Sequence, residues 1–325
     1  MRRLLPLIAI ALLAAAPARA ADPGRWRETG LTNLPLVYYQ GVTHSTGGDW
    51  FFDGVYNGLW RTDRAFDQTG AAPEAIPPDV FAREHYDHIG DLSFDRAEGG
   101  RLLLPMECYY PPAGNTCGNG SFAVADPKTL AWRYYVKLAP TEIPKAMWVE
   151  ASPDGKLLWT SAGKDLLAYR ASDVRPANAA PDAKPIRSVR RIRGGVPPSG
   201  ITGAAFYRGR LYVAGGDGDR FQIWSISLAD GSRRLEIERS IVGESEGIDN
   251  FSAAGGVLHW LIQPYNEHGQ PTYGVDHATL LHFMPAFGGA GAGGSSGRGG
   301  SGGPVRPRKS LRLRIRPRRV HAGNR

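Results

Sequence analysis

The chain has 325 residues, 42% of them hydrophobic, only two cysteines and a formal net charge of +8. The positive charge sits at the ends: residues 1–20 hold three basic groups and residues 286–325 hold ten, which leaves 26 basic against 31 acidic groups, net −5, for residues 21–285. A body of that size can bury one sizeable core, and its mildly acidic balance excludes the basic footprint that nucleic-acid binding requires.

The first element is a leader. Arg2 and Arg3 precede an apolar run from Leu4 to Ala15, and Ala18-Arg19-Ala20 offers small residues where a signal peptidase cuts. This is the layout of a secretory signal peptide over residues 1–20, too short to anchor in a bilayer, with the mature chain starting at Ala21. The expected location is secreted, extracellular or cell-envelope associated. In an oxidising compartment Cys108 and Cys117, which bracket a Pro/Gly/Asn loop, are expected to form a disulfide.

The body repeats itself. Hairpin turns at Gly47-Gly48, Gly99-Gly100, Asp154-Gly155, Arg208-Gly209 and Gly255-Gly256 each precede a hydrophobic strand, at spacings of 52, 55, 54 and 47 residues. A period near fifty with hairpin turns implies one four-stranded sheet per repeat, which predicts an all-β β-propeller over residues 21–286 with five blades and few or no helices. A sixth blade between Phe122 and Lys145 is the variant of this reading. The alternating stretch Ala131 to Leu138 is instead taken as the outer strand of blade two. Residues Leu34 to Tyr39 are expected to pair with the last blade and close the ring, removing an open sheet edge. The rival architecture is a two-sheet sandwich. The stretch Ser152-Pro153-Asp154-Gly155-Lys156-Leu157-Leu158-Trp159 resembles blade hairpins of the secreted bacterial propeller families, the YVTN, NHL and gluconolactonase-like groups among them.

Beyond the body, residues 287–309 read as a Gly/Ser-rich flexible linker. Residues 310–325 alternate apolar and basic side chains. They resemble the opening strand of the Ig-like modules of bacterial surface proteins, which implies a truncated module; the alternative is a disordered basic tail that touches anionic envelope polymers.

Propellers place chemistry at the channel mouth, so polar residues flanking the expected inner strands are the candidates. Glu84-His85-Tyr86-Asp87-His88-Ile89-Gly90-Asp91 is the densest cluster. From it and from Glu246, the candidate catalytic groups are His88, Asp87 and Glu246. Gln40, His44 and His85 are candidate ligand contacts, and so are Tyr109 and Tyr110, aromatic residues on a predicted loop that can stack on a sugar or peptide ligand. Asp91, Glu150, Asp249 and Asn250 are candidate metal ligands, because carboxylates and an amide at blade edges resemble the all-oxygen calcium site of gluconolactonase-like propellers. Gly243-Glu244-Ser245-Glu246-Gly247 fits an esterase pattern, but a strand and another hairpin come after Ser245, not the required helix. These candidates support two functions. One is a monomeric ligand- or partner-binding module for a small molecule, glycan or cell-surface ligand. The other is a calcium- or zinc-dependent lactonase or esterase.

Overall fold

The computed structural model describes residues 25–54, 58–109, 117–217, 220–265 and 277–286. The leader, the linker, the basic tail and Tyr110 lie outside the described residues.

The first strand, β1 (Trp26–Pro35), belongs to the last sheet. Blade 1 comes next as β2 (Gly41–His44), β3 (Trp50–Asp53), β4 (Leu59–Thr62) and β5 (Gln68–Ala72). A short helix, α1 (Pro78–Glu84), leads to blade 2: β6 (His88–Ile89), β7 (Ser93–Asp95), β8 (Arg101–Glu107), β9 (Ser121–Ala125) and β10 (Trp132–Lys137). Blade 3 is β11 (Glu150–Ala151), β12 (Leu157–Ala162), β13 (Asp165–Arg170) and β14 (Arg190–Ile192). Blade 4 is β15 (Gly203–Tyr207), β16 (Arg210–Asp217), β17 (Arg220–Ile226) and β18 (Arg233–Ser240). Blade 5 is β19 (Gly243–Asp249), β20 (Leu258–Pro264) and β21 (His277–Pro285), completed by β1.

Each sheet is an antiparallel meander, and the innermost strands contact one another in a closed cycle. The fold is therefore a five-bladed β-propeller, with α1 as the one α-helix among the described residues. Trp132–Lys137 pairs with β9 as the outer strand of blade 2, so no sixth blade arises there. Hairpin chemistry sets the registers. Arg208 and Gly209 both take positive φ, 46° and 76°, the geometry of a two-residue turn whose twist matches its strands.

The core is divided among the five seams between blades. Phe51, Leu104 and Met106 fill the first seam; Phe122, Leu158 and Tyr169 fill the second. Trp159, Phe206 and Leu211 fill the third, Phe221, Ile223 and Trp260 the fourth, and Trp50, Phe52 and Leu280 the fifth. Trp60 and Trp224 pack against the fifth and third seams, so Trp60, Trp159, Trp224 and Trp260 all serve packing between blades.

Ring closure corrects one expectation. The closing strand is Trp26–Pro35, paired with Pro285–His277, rather than residues 34–39. After Pro35 the chain turns, with the Tyr38 amide donating to the Pro35 carbonyl at 3.0 Å, and Tyr38 and Tyr39 drop into the fifth seam. The aromatic residues that suggested a strand are core side chains of a turn. The true strand escaped notice because it is an outer strand, exposed along most of its length and lacking apolar alternation.

Candidate functional site at the channel mouth

Asp91 stands on the axis. Its strand is interrupted there: the Asp91 amide donates to the Met147 carbonyl of the connection into blade 3 at 3.0 Å, and the Val149 amide returns to the Asp91 carbonyl at 3.1 Å. The carboxyl then reaches inward, accepting from the Val42 amide of blade 1 and from the Ala204 amide of blade 4, each at 3.0 Å. Glycines make the space. A Cβ at Gly247 would lie 2.4 Å from Asp91 Oδ1, at Gly203 2.6 Å from Oδ2, and at Gly41 2.8 Å from the Asp91 Cα. Burial, with the charges of Glu150 and Asp249 nearby, holds the Asp91 carboxyl well above the usual carboxylate range.

Beyond Asp91, toward the far ends of the inner strands, polar contacts join every blade to the next. Thr43 Oγ1 accepts from the Phe94 amide at 3.1 Å, joining blades 1 and 2. Ser93 Oγ donates to Glu150 Oε2 at 2.7 Å, and Glu150 Oε1 accepts from the Phe206 amide at 3.1 Å. The Asn250 amide donates to the Phe206 carbonyl. Asp249 closes the circle on His44 Nδ1 at 2.8 Å. Burial pushes Glu150 up to about 8. Burial alone would lower His44, but the Asp249 charge and hydrogen bond outweigh it and raise the imidazole.

This ring accounts for the four candidate metal ligands. Asp91 lies on the axis and Glu150, Asp249 and Asn250 lie in the ring; the three carboxyls accept from protein groups and the Asn250 Nδ2 donates to one. Calcium needs about six oxygens at 2.3–2.6 Å. Among the described residues, no three His, Cys, Asp or Glu side chains stand close enough to hold a metal ion. Glu150 and Asp249 instead spend carboxylate oxygens on hydrogen bonds to neighbouring blades.

At the opposite end, where the inner strands begin, lies a second polar cluster. The long connections between blades and α1 are on this face. Gln40 Nε2 donates to Glu246 Oε2 at 3.0 Å, across the seam between blades 1 and 5. Glu107 of β8 pairs with Lys145 at 3.1 Å. His88 stands opposite Glu107 in the sheet, is 6% exposed, and its Nδ1 makes no hydrogen bond. Asp53 is fully buried, with the Gly41 amide beside its carboxyl. Burial holds Asp53 and Glu246 well above the usual range, reinforced at Glu246 by Glu244, Glu107 and Asp53 and at Asp53 by Asp91. Burial also raises Glu107, against the opposing pull of Lys145, and lowers His88 to about 4. These shifts all favour uncharged forms at neutral pH.

Apolar surface frames the cluster. Tyr109 is 53% exposed with its ring 5.6 Å from that of His88, and Met147 is 38% exposed. The Tyr265 hydroxyl donates to Glu244 at 3.1 Å, and burial with the Glu244 charge pushes its phenol up to about 12. The disulfide Cys108–Cys117 is formed and pins the chain that carries Tyr109.

The candidate residues thus separate. Gln40, His88, Tyr109 and Glu246 share the mouth; His44 is at the far end of the strand that Gln40 precedes. His85 is the exposed left-handed cap of α1. Asp87 accepts from the Tyr109 amide at 2.8 Å and so positions that residue. Ser245 is buried within β19, accepting from the Trp260 indole at 3.0 Å, which is no place for a nucleophile. Asp53, Glu107 and Lys145 were not among the candidates. The two acids sit on second strands in hydrophobic runs, and only the three-dimensional register brings them to the mouth.

No protein-family description matches the sequence, and no curated protein aligns with it. Among solved structures, the PQQ-bound aldose sugar dehydrogenase of Streptomyces coelicolor is similar at 12% identity and a TM-score of 0.41, over 80% of this chain and 98% of that one. Myxococcus xanthus glutaminyl cyclase is similar at 12% identity and a TM-score of 0.46, over 81% and 99%. A luciferin-regenerating enzyme is similar at 10% identity and 0.41, over 78% and 95%. The fold assignment rests on the chain's own five sheets and their cyclic contacts: it is a five-bladed β-propeller.

Proposed function

We propose that this protein is an exported binding module that seats a neutral, polyhydroxylated ligand, a sugar ring of a glycan, over the channel mouth. One observation carries the reading: the buried carboxyls of Asp53, Glu107 and Glu246 and the imidazole of His88, whose Nδ1 makes no hydrogen bond, gather near exposed aromatic and thioether surface on the face that bears the long connections. Uncharged carboxyls and imidazole both donate and accept, which suits sugar hydroxyls, and Tyr109 offers a ring face for the sugar's C–H surface. Export is supported by the leader sequence and the disulfide. No described helix is long and apolar enough to cross a membrane. The hydrolase alternative draws no added support, since no group of three His, Cys, Asp or Glu side chains suited to a metal ion occurs among the described residues.

A glycan array tests the proposal. Neutral glycans should be retained, and Tyr109→Ala should lose about tenfold in affinity, the worth of one stacking contact. Retention of anionic glycans alone, or of none, would overturn it. Sequencing the N-terminus of the protein recovered outside the cytoplasm should begin at Ala21; a start at Met1 would overturn export.

A further inference from the structure

A second site lies on the face away from the mouth, between blades 4 and 5. A cavity of about 220 Å³ opens there, where Trp26, Tyr207 and Tyr212 form an aromatic wall and Arg208, Arg210 and Arg234 face one carboxylate, Glu236. That carboxylate is fully spent. Glu236 Oε1 accepts from Ser225 Oγ at 2.6 Å and from Arg234 at 2.7 Å, and the Trp26 indole reaches Oε2 at 3.3 Å. Glu236 neutralises Arg234 and fixes the indole. It leaves the charges of Arg208 and Arg210 without a carboxylate from within the cavity.

The remaining groups form an acceptor-hungry cup. Arg210 gives its donors to neutral partners, Ser225 Oγ at 3.0 Å and the carbonyls of Ser225 and Ser232 at 3.1 Å. Arg208 projects from the left-handed hairpin turn and lies over the Tyr207 ring at 5.2 Å. Among the described residues it makes no hydrogen bond or ion pair, and neither do the hydroxyls of Tyr207 and Tyr212. The rings of Trp26, Tyr207 and Tyr212 stand 5.4–5.7 Å apart, tilted or edge-on, so they form an apolar wall rather than a filled stack. A guanidinium held on an aromatic face beside two free phenol hydroxyls presents directed donors to an oxyanion and a ring surface to whatever carries it.

We propose that this cavity binds a small organic oxyanion, a phosphate or carboxylate attached to a planar ring, with Arg208, Tyr207 and Tyr212 donating to the oxyanion and Trp26 against the ring. The ligand class and the face both differ from those of the channel mouth. Phenyl phosphate, benzoate, inorganic phosphate and phenol, titrated into the whole exported chain by calorimetry, separate the contributions. Phenyl phosphate or benzoate should bind at least tenfold more tightly than phenol and than inorganic phosphate. Arg208→Gln should weaken that binding about tenfold or more, the range of one charge-assisted hydrogen bond, and Tyr207→Phe should weaken it several-fold. Arg193→Gln, an exposed arginine outside the cavity, should leave it unchanged. Failure of both aromatic anions to bind, equal binding of phenol, or equal loss in Arg193→Gln and Arg208→Gln would each overturn the proposal. Because Arg208 lies on an exposed turn and His88 at the mouth, His88→Ala should not affect this binding; if it did, the two sites would not be separate and the proposal would fall.

Discussion

Asp91 shows how one residue can set a fold's centre. Its carboxyl satisfies two amides from non-neighbouring blades, and three glycines leave room for it. Asp91→Ala strands two buried N–H groups, each costing about 1–3 kcal/mol, so urea unfolding should show a loss of about 2–6 kcal/mol. Gly247→Ala should also destabilise, since its Cβ would meet Asp91 at 2.4 Å with backbone of blade 1 behind it. Glu150 carries the pH dependence. Its folded-state value, about 8, lies above its ordinary value near 4.5. The folded chain therefore keeps a proton that the unfolded chain releases, and stability falls as pH rises between those values. Asp91, Asp53 and Glu246 are raised too and act in the same direction. Lowered histidines such as His88 act the other way only below their ordinary value of 6.5, so the melting temperature should drop from pH 6.5 to pH 8, and Glu150→Gln, which keeps an acceptor for the Phe206 amide, should flatten that slope. A wild-type melting temperature that rises over this interval would contradict the assigned protonation.

Among the elements, β1 closes the ring by supplying the outer strand of blade 5. Starting the chain at Leu36 should leave the edge of β21 open and remove Trp26 and Leu34 from their seams. The expected outcome is a sharply lowered melting temperature and self-association by light scattering; a stable monomer would show that closure contributes little. The elements differed in how far sequence reached them. The hairpins were legible because turn chemistry is local: Asp154-Gly155 and Arg208-Gly209 announce their geometry within four residues. The blade count came from their spacing. β1 was not legible, since an exposed outer strand carries no alternation. Nor was the split of the innermost strand of blade 2 into β6 and β7, which arises because Asp91 pairs with blade 3 instead of its own sheet. Of the site, Gln40, His88 and Glu246 were visible as polar residues beside inner strands, and Tyr109 as an aromatic residue on a loop. Asp53 and Glu107 were hidden inside apolar runs, and the placement of Asp249 and Glu150 in a structural ring depends on which end of the strand each occupies.

In the whole molecule, the polar groups of the inner strands gather at the two ends of one axis. The far ends of the inner strands are tied by five cross-blade contacts whose donors and acceptors are matched. The mouth instead gathers buried groups whose shifts favour uncharged forms, the His88 imidazole with its unpartnered Nδ1 and the Asp53 and Glu246 carboxyls, near Tyr109 and Met147. Buried unmatched polar groups are costly, which is the physical ground for proposing a ligand at this opening. Calorimetric titration of the tightest neutral array sugar against wild type and a His88→Ala, Glu246→Gln double variant tests this directly. Binding should weaken at least tenfold in the variant while its melting temperature stays within a few degrees of wild type. Unchanged affinity in a folded variant would place the ligand elsewhere and contradict the assignment of the mouth.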